Sequence, residues 1–261
     1  MDSRSAIKLW SIRSYVIAAF CAVTVVIMPA IGEAQQRQQP KPTNLQVLDS
    51  TISHDELIDQ MGKFTNALGV GCDFCHSPSK DPNSRDMDFA SDAKKEKLVA
   101  RAMMKMTRDI NGTYLANATG LEAPLVAVEC MTCHRGQTEP IQLTDLLSKA
   151  LAEKGMAAAD STYRELREQY YGSATFDFSE GVLVHLAYDI SEEDSKNALS
   201  LLKLNQEFNP KSSFNQWAMG QLYLSTGDTT QAITEYKRAL ELDPKNRRAK
   251  RGLEALGVKT E

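Results

Sequence analysis

Two copies of one short motif constrain this chain more than any other feature. They are Cys72-Asp73-Phe74-Cys75-His76 and Cys130-Met131-Thr132-Cys133-His134. Each places two thiols three positions apart with an imidazole directly after them. A two-residue gap in a tight turn lets both thiols reach one flat partner, and the adjacent His then lies beneath its centre. This is the attachment pattern of c-type haem, in which the thiols bond to the two vinyl groups of a porphyrin and the His becomes the proximal iron ligand. Other chemistries also use paired cysteines. A zinc ion held by four cysteines leaves both following His without a role, and the 54 residues between the pairs exceed any zinc-ribbon loop. Two local disulfides suit an exported chain. A redox-active CxxC needs a βαβ context that the flanking residues do not show. The reading is therefore two covalently attached c-type haems, bonded through Cys72 and Cys75 and through Cys130 and Cys133, with His76 and His134 as axial ligands.

The fifth cysteine, Cys21, lies in a segment that reads as an address. Arg4, Lys8 and Arg13 are basic, Val16 to Ile31 is apolar and uncharged, and Gly32 and Ala34 place small residues before Gln35. Residues 1–34 are expected to be a secretory signal peptide, or else a retained membrane anchor. Phe20 makes the residues before Cys21 unlike a lipoprotein cleavage box. The mature chain is then periplasmic, or held at the outer face of a bacterial cytoplasmic membrane. Residues 35–44 are Gln-rich with two prolines and form a flexible linker. The net charge of −4 and a pI near 5.7 exclude non-specific nucleic-acid binding.

Residues 45–140 form one unit of this reading, a small dihaem domain with a repeated layout. Ser53 with Glu56 makes a capping box, and Leu57, Met61, Phe64 and Leu68 follow at helical spacing up to Gly69 and Gly71. The first CxxCH comes next. A second helix is expected over residues 91–115, with Val99, Met103, Met106 and Ile110 as its stripe, and the second CxxCH lies beyond a loop. Two of the four His are used in the motifs, and His54 and His185 read as ordinary surface or core residues. Methionine is therefore the nearer supply of sixth ligands. Met61 precedes the first haem turn, and Met103, Met104 and Met106 precede the second. Aromatic residues are only 7% of the chain, so its core rests on aliphatic side chains or on something that is not protein.

Residues 141–261 hold no cysteine and read as helical throughout. Ala198 and Ala232, and Pro210 and Pro244, lie 34 positions apart, the period of tetratricopeptide repeats. Residues 213–246 carry Gly220, Tyr223, Gly227, Ala232, Tyr236, Ala239 and Pro244 in the order of that repeat. Residues 179–212 form a degenerate copy, residues 247–261 a capping helix and tail, and residues 141–178 a further helical pair. Such stacks dock peptides or proteins, or cap and assemble a neighbour. Asn111 and Asn117 each begin a glycosylation sequon, which carries no weight in a bacterial protein.

The stretches MGKFTNALGVGCDFCH (Met61–His76), ARAMMKMTRDIN (Ala100–Asn111) and CMTCHRG (Cys130–Gly136) resemble haem segments of the cytochrome c subunit of photosynthetic reaction centres. The likeness spans about residues 50–140. It implies that the Met in the helix before each haem turn is the distal ligand, which names Met61 and Met103. Subunits of that family carry four haem segments and this chain has two. A family His that follows the "RDIN" phrase falls near Asn117. The resemblance therefore implies a shortened relative serving another electron-transfer chain. The whole chain is expected to be an all-α electron carrier rather than an enzyme. Its partners are redox proteins of a membrane-associated chain, with a peptide or protein ligand for the repeats. A haem peroxidase, which needs an open iron position, and a repeat-based assembly or sensor protein are the opposing readings.

Overall fold

The computed structural model describes residues 41–118, 120 and 126–259. The leader lies outside the described residues, as does most of the linker. Among the described residues, ten α-helices, a 3₁₀ turn, a π turn and one hairpin of two-residue strands make up the regular structure, so the fold is all-α. Among the described residues no helix is long and apolar enough to cross a membrane.

Helix α1 (His54–Leu68) begins at the expected capping box. The Ser53 hydroxyl accepts from the Glu56 N–H, and the Ser53 N–H donates back to the Glu56 carboxylate at 3.0 Å. It ends at Gly69 in the left-handed region, φ 67°. A short antiparallel hairpin follows the first CxxCH, β1 (Ser77–Pro78) paired with β2 (Met87–Asp88), which the sequence pattern had not suggested. Helix α2 (Lys95–Asp109) starts later than Ser91 because the residues before it are used elsewhere. The Ser91 N–H donates to Asp88, and the Asp92 carboxylate gathers Lys97 at 3.1 Å, Arg101 at 2.9 Å and the Asn44 amide at 2.8 Å. Arg101, Asn44 and Lys97 hold the Asp92 carboxyl far below the usual carboxylate range. Further polar links tie α2 down. Arg101 donates to Asn44 O, Arg108 to Val47 O and Lys94 to Asp73 O. Beyond Asp109 the helix widens into a π-helical turn, Ile110–Leu115.

Apolar burial is distributed very unevenly. Of the 22 buried hydrophobic residues among those described, Ala67 is the one that precedes Leu143. The apolar stripes of α1 and α2 are half-buried or exposed. Val99 is 55% and Met106 47% exposed.

From Leu143 onward the helices pair and stack: α4 (Leu143–Lys154) with α5 (Met156–Tyr170), α6 (Glu180–Ile190) with α7 (Ser195–Phe208), and α8 (Ser213–Ser225) with α9 (Thr229–Leu242). Helix α10 (Arg247–Ala255) closes the stack. The first helices α4, α6, α8 and α10 pack on one another in succession, and α5 packs on α7. By packing, the α4/α5 pair is therefore the opening layer of the same stack. The period shows in the helix starts, 195 and 229, and 213 and 247. It shows again in the caps. Asp194 and Asp228 each accept from the N–H three residues on, and Ser212 and Asn246 do the same one helix later. Asn205 and Asn215 are fully buried and satisfied. Asn205 donates to Glu180 O and to Asn215 Oδ1, and Asn215 donates to Leu202 O, which fixes the register of α6, α7 and α8.

Tyr236 is the tightest point of the stack. Its buried ring lies between two helix backbones, so that a Cβ added at Gly220 would stand 2.5 Å from the ring, and one at Gly252 2.8 Å. Its hydroxyl accepts from Gln221. Alanine in a helix interior is intrinsically favoured over glycine by about 1 kcal/mol. Overpacking a rigid, enclosed ring costs about 1–3 kcal/mol. The steric effect wins: Gly220→Ala is expected to lower the unfolding midpoint of α8–α10 in a thermal melt followed by far-UV circular dichroism, by a few degrees.

Candidate functional site

The first CxxCH folds as one tight turn. A 3₁₀ turn over Cys72–Phe74 brings the Cys75 N–H to Cys72 O at 3.3 Å and the His76 N–H to the same carbonyl at 3.1 Å. Both thiols and the imidazole therefore project from a single loop. The second CxxCH is a single helical turn, α3 (Cys130–His134), with the Glu129 N–H donating to the Thr132 hydroxyl at 3.0 Å. In each pair one cysteine is exposed (Cys72, Cys133) and one half-buried (Cys75, Cys130). Burial pushes the half-buried thiols up in pKa. All four are free, so no local disulfide closes either pair. Among the described residues no three Cys, His, Asp or Glu side chains converge as a metal-holding cluster, so the four-cysteine zinc arrangement does not fit this fold.

The two turns meet at the end of α1. The Gly136 N–H donates to Ala67 O at 2.9 Å, and a Cβ added at Gly69 would lie 2.3 Å from Gly136 O. Gly69 is followed within three residues by the first motif, and Gly136 lies two residues after the second. Both motifs are therefore anchored to one helix terminus by backbone contact. Gly136, at φ 84°, follows Arg135, which is held in the left-handed region at φ 50°. Those two residues turn the chain back so that Gln137 O lies 2.9 Å from His134 Nδ1. A carbonyl only accepts, so Nδ1 carries the proton and Nε2 is the nitrogen left to bind metal. The glycine of the CHRG phrase thus orients the His134 imidazole, a role that has no signature in the sequence. Arg135 O also accepts from Thr175 at 2.9 Å, joining this turn to the helical stack.

His76 is set differently. Its Nδ1 is buried with no hydrogen-bond partner, and its ring lies edge-on to Phe89 at 5.0 Å. Burial and the nearby Lys97 lower its pKa, which favours the neutral, metal-ligating imidazole. Met61 on α1 and Met103 and Met104 on α2 are half-buried, whereas Met106 is 47% exposed. The sulfur candidates therefore stand on the helix that precedes each motif. His54 is the first residue of α1, and His185 lies on α6 against Phe214, so neither belongs to a CxxCH turn. Asn111 opens a sequon and closes the RDIN phrase. Its side chain clamps Val128, donating to its carbonyl at 2.8 Å and accepting from its N–H at 2.7 Å, and so fixes the approach to Cys130 from the π turn.

The residues fit a porphyrin. The donor set is two thiols and one imidazole at each turn. Phe74 and Met131 within the motifs, Phe89 against the His76 ring, and Leu98, Val99 and Met106 on α2 are all more than a third exposed, which leaves apolar surface for a flat hydrophobic group to cover.

Comparison with known proteins agrees. A family model described as the photosynthetic reaction centre cytochrome C subunit matches residues 14–190, and one described as a TPR repeat matches residues 220–251. Cytochrome c-554 of Chloroflexus aurantiacus is 33% identical over 103 residues, covering 40% of this chain and 22% of that protein. The photosynthetic reaction center cytochrome c subunit of Rubrivivax gelatinosus is 30% identical over 122 residues, covering 45% of this chain and 29% of that protein. The chain therefore spans less than a third of the length of either relative.

The Gly69–Gly136 contact makes a sharp prediction. Gly69→Ala forces the carbonyl of Gly136 away and should lower the haem held per chain, read from haemochrome absorbance against protein mass. Gly71→Ala is the control. Its Cβ would meet only the movable Asp73 carboxylate, so haem content should not change.

Proposed function

The chain belongs to the photosynthetic reaction centre cytochrome c subunit family, and from that premise we propose that it is an exported dihaem c-type cytochrome. It would pass single electrons between redox proteins at the outer face of the cytoplasmic membrane. The observation that carries this reading is the mismatch between helices and core in residues 45–140. Two amphipathic helices lead to two CxxCH turns, and nearly all buried apolar side chains lie elsewhere. When bound, each haem supplies a one-electron iron couple.

The chain's own residues then do the rest. Cys72 and Cys75, and Cys130 and Cys133, would hold the two groups through thioether bonds. His76 and His134 would ligate the irons, and the Gln137 carbonyl would make His134 the better electron donor of the two. Met61 and Met103 would supply thioether sulfur from α1 and α2. Thioether ligation would favour the ferrous state, which suits an electron carrier better than a peroxidase. Residues 1–34 export or anchor the chain. The stack from Leu143 onward is the docking or assembly module.

Redox titration of the purified protein tests this, followed by absorbance. Wild type should titrate as two one-electron centres. Met61→His and Met103→His should each lower the potential of one centre and remove the iron–thioether absorption feature of the oxidised form at that centre alone. Met106→Leu should leave both features in place. A silent Met103→His with loss of the feature in Met106→Leu would shift the ligand by one helical turn. If neither change has an effect, the second haem has another ligand or an open site, and the haem-enzyme reading takes its place.

A further inference from the structure

We propose that a cleft between the ends of α5 and α7, on the layer of second helices, binds a free aromatic amino acid. Arg167 holds its carboxylate and Glu168 its ammonium group. The site lies outside the residues matched as a repeat, and it uses none of the residues assigned to haem.

The cleft has a volume of about 470 Å³ and is lined by Arg164, Arg167, Glu168, Tyr171 and Phe208. That size suits a single small molecule. Arg164 and Arg167 are one turn apart on α5, yet their charges are used differently. Arg164 is paired, at 2.9 Å with Asp160 on its own helix and at 2.6 Å with Glu207 on α7. Among the described residues Arg167 forms no ion pair. Aromatic rings hold its guanidinium instead. It lies 3.9 Å from the Tyr171 centroid, 4.7 Å from that of Phe208 and 5.7 Å from that of Phe178. Its Nη1 is buried without a hydrogen-bond partner, and so is the hydroxyl of Tyr163, which Arg167 approaches. A guanidinium that has lost water without gaining an anion is an unsatisfied donor, and the rings keep it pre-oriented.

The lining selects the ligand. A planar guanidinium fork matches a carboxylate. Tyr171, 66% exposed, and the half-buried Phe208 offer flat apolar contact beside it. Glu168 lines the same cleft, is exposed, and forms no ion pair among the described residues. A bare carboxylate or a phosphate on Arg167 would be repelled by it. A ligand that also carries an ammonium group gains from both charges, which are too differently directed to neutralise each other. An aromatic α-amino acid brings the carboxylate, the ammonium and the flat ring together in one small molecule.

The test uses the full-length holoprotein and L-phenylalanine, read by saturation-transfer difference NMR as the ligand is raised. Phenylalanine should bind saturably. Phenylpropanoate, which lacks the ammonium, phenethylamine, which lacks the carboxylate, and glycine, which lacks the ring, should each bind more weakly. Arg167→Gln should weaken phenylalanine binding by about tenfold or more, and Arg167→Lys, which keeps the charge without the fork, by less. Glu168→Gln should weaken phenylalanine by a smaller factor and should not weaken phenylpropanoate. Should Arg167→Gln lose its helical circular dichroism, the exposed Glu168→Gln decides. The proposal is overturned if phenylalanine does not bind, if phenylpropanoate binds wild type as tightly as phenylalanine does, or if Arg167→Gln and Glu168→Gln both bind phenylalanine as wild type does. Haem content of the same variants should match wild type. Haem lost together with binding would give these residues a role in the fold instead, and would overturn the site.

Discussion

The amphipathic faces of α1 and α2 have little protein to pack against among the described residues, and this constraint governs residues 45–140. An apolar face gains free energy only when it leaves water, at about 25 cal/mol per Å². In the stack from Leu143 onward that gain comes from helix against helix. In residues 45–140 it has to come from something else, because among the described residues there Ala67 is the one buried hydrophobic side chain. Polar links compensate in part. Asp92, Asn44, Lys97, Arg101 and Arg108 tie α2 to the entering chain and to the loop before it. Such links fix position, but exposed ion pairs contribute little to stability. The proposed porphyrins would supply the missing apolar body, held by the cysteine thiols and the imidazoles of the two turns.

The same constraint explains why the backbone is tight where the side-chain packing is loose. A Cβ at Gly69 would stand 2.3 Å from Gly136 O, so Gly69 tolerates no side chain, and the Gly136 N–H completes the end of α1 through Ala67 O. That contact holds two turns, 54 residues apart in sequence, at one helix end. Thr175 then carries the link on to the stack through Arg135 O. The two motif His differ in surroundings although their motifs are the same. One is fixed by a carbonyl acceptor, and the other is pressed edge-on to an aromatic ring with its Nδ1 unpartnered. Under the proposed function, two haems held there would be unequal in character.

Much of this was legible in the residues. Periodicity located α1, its capping box and its glycine stop, and the 34-residue spacing located α6 to α10. It also carried a signal that was not read. Asp194 and Asp228, and Ser212 and Asn246, are one period apart and cap four helices. Other features have no local signature. The Asp92 cluster joins residues more than 40 positions apart, and the Asn111 clamp on Val128 spans 17. Long-range polar contacts of this kind follow from tertiary approach and not from pattern. The late start of α2 is one consequence, because Asp92 is drawn into distant contacts. The hairpin at Ser77 and Met87 is too short for alternation to reveal it. The CHRG phrase was recognised by likeness, and its physical reason, a left-handed turn that returns a carbonyl to His134 Nδ1, emerged only from the backbone angles.

The central claim is that residues 45–140 are organised around covalently held porphyrin while the stack folds on its own protein core. Amide hydrogen exchange tests it most directly, comparing the holoprotein with a variant in which Cys72, Cys75, Cys130 and Cys133 are all Ala. The account predicts that α1 and α2 are protected in the holoprotein and exchange freely in the variant, while α4 to α10 keep their protection in both. Equal protection of α1 and α2 in the two forms would contradict it, because those helices would then hold together without the group proposed as their core.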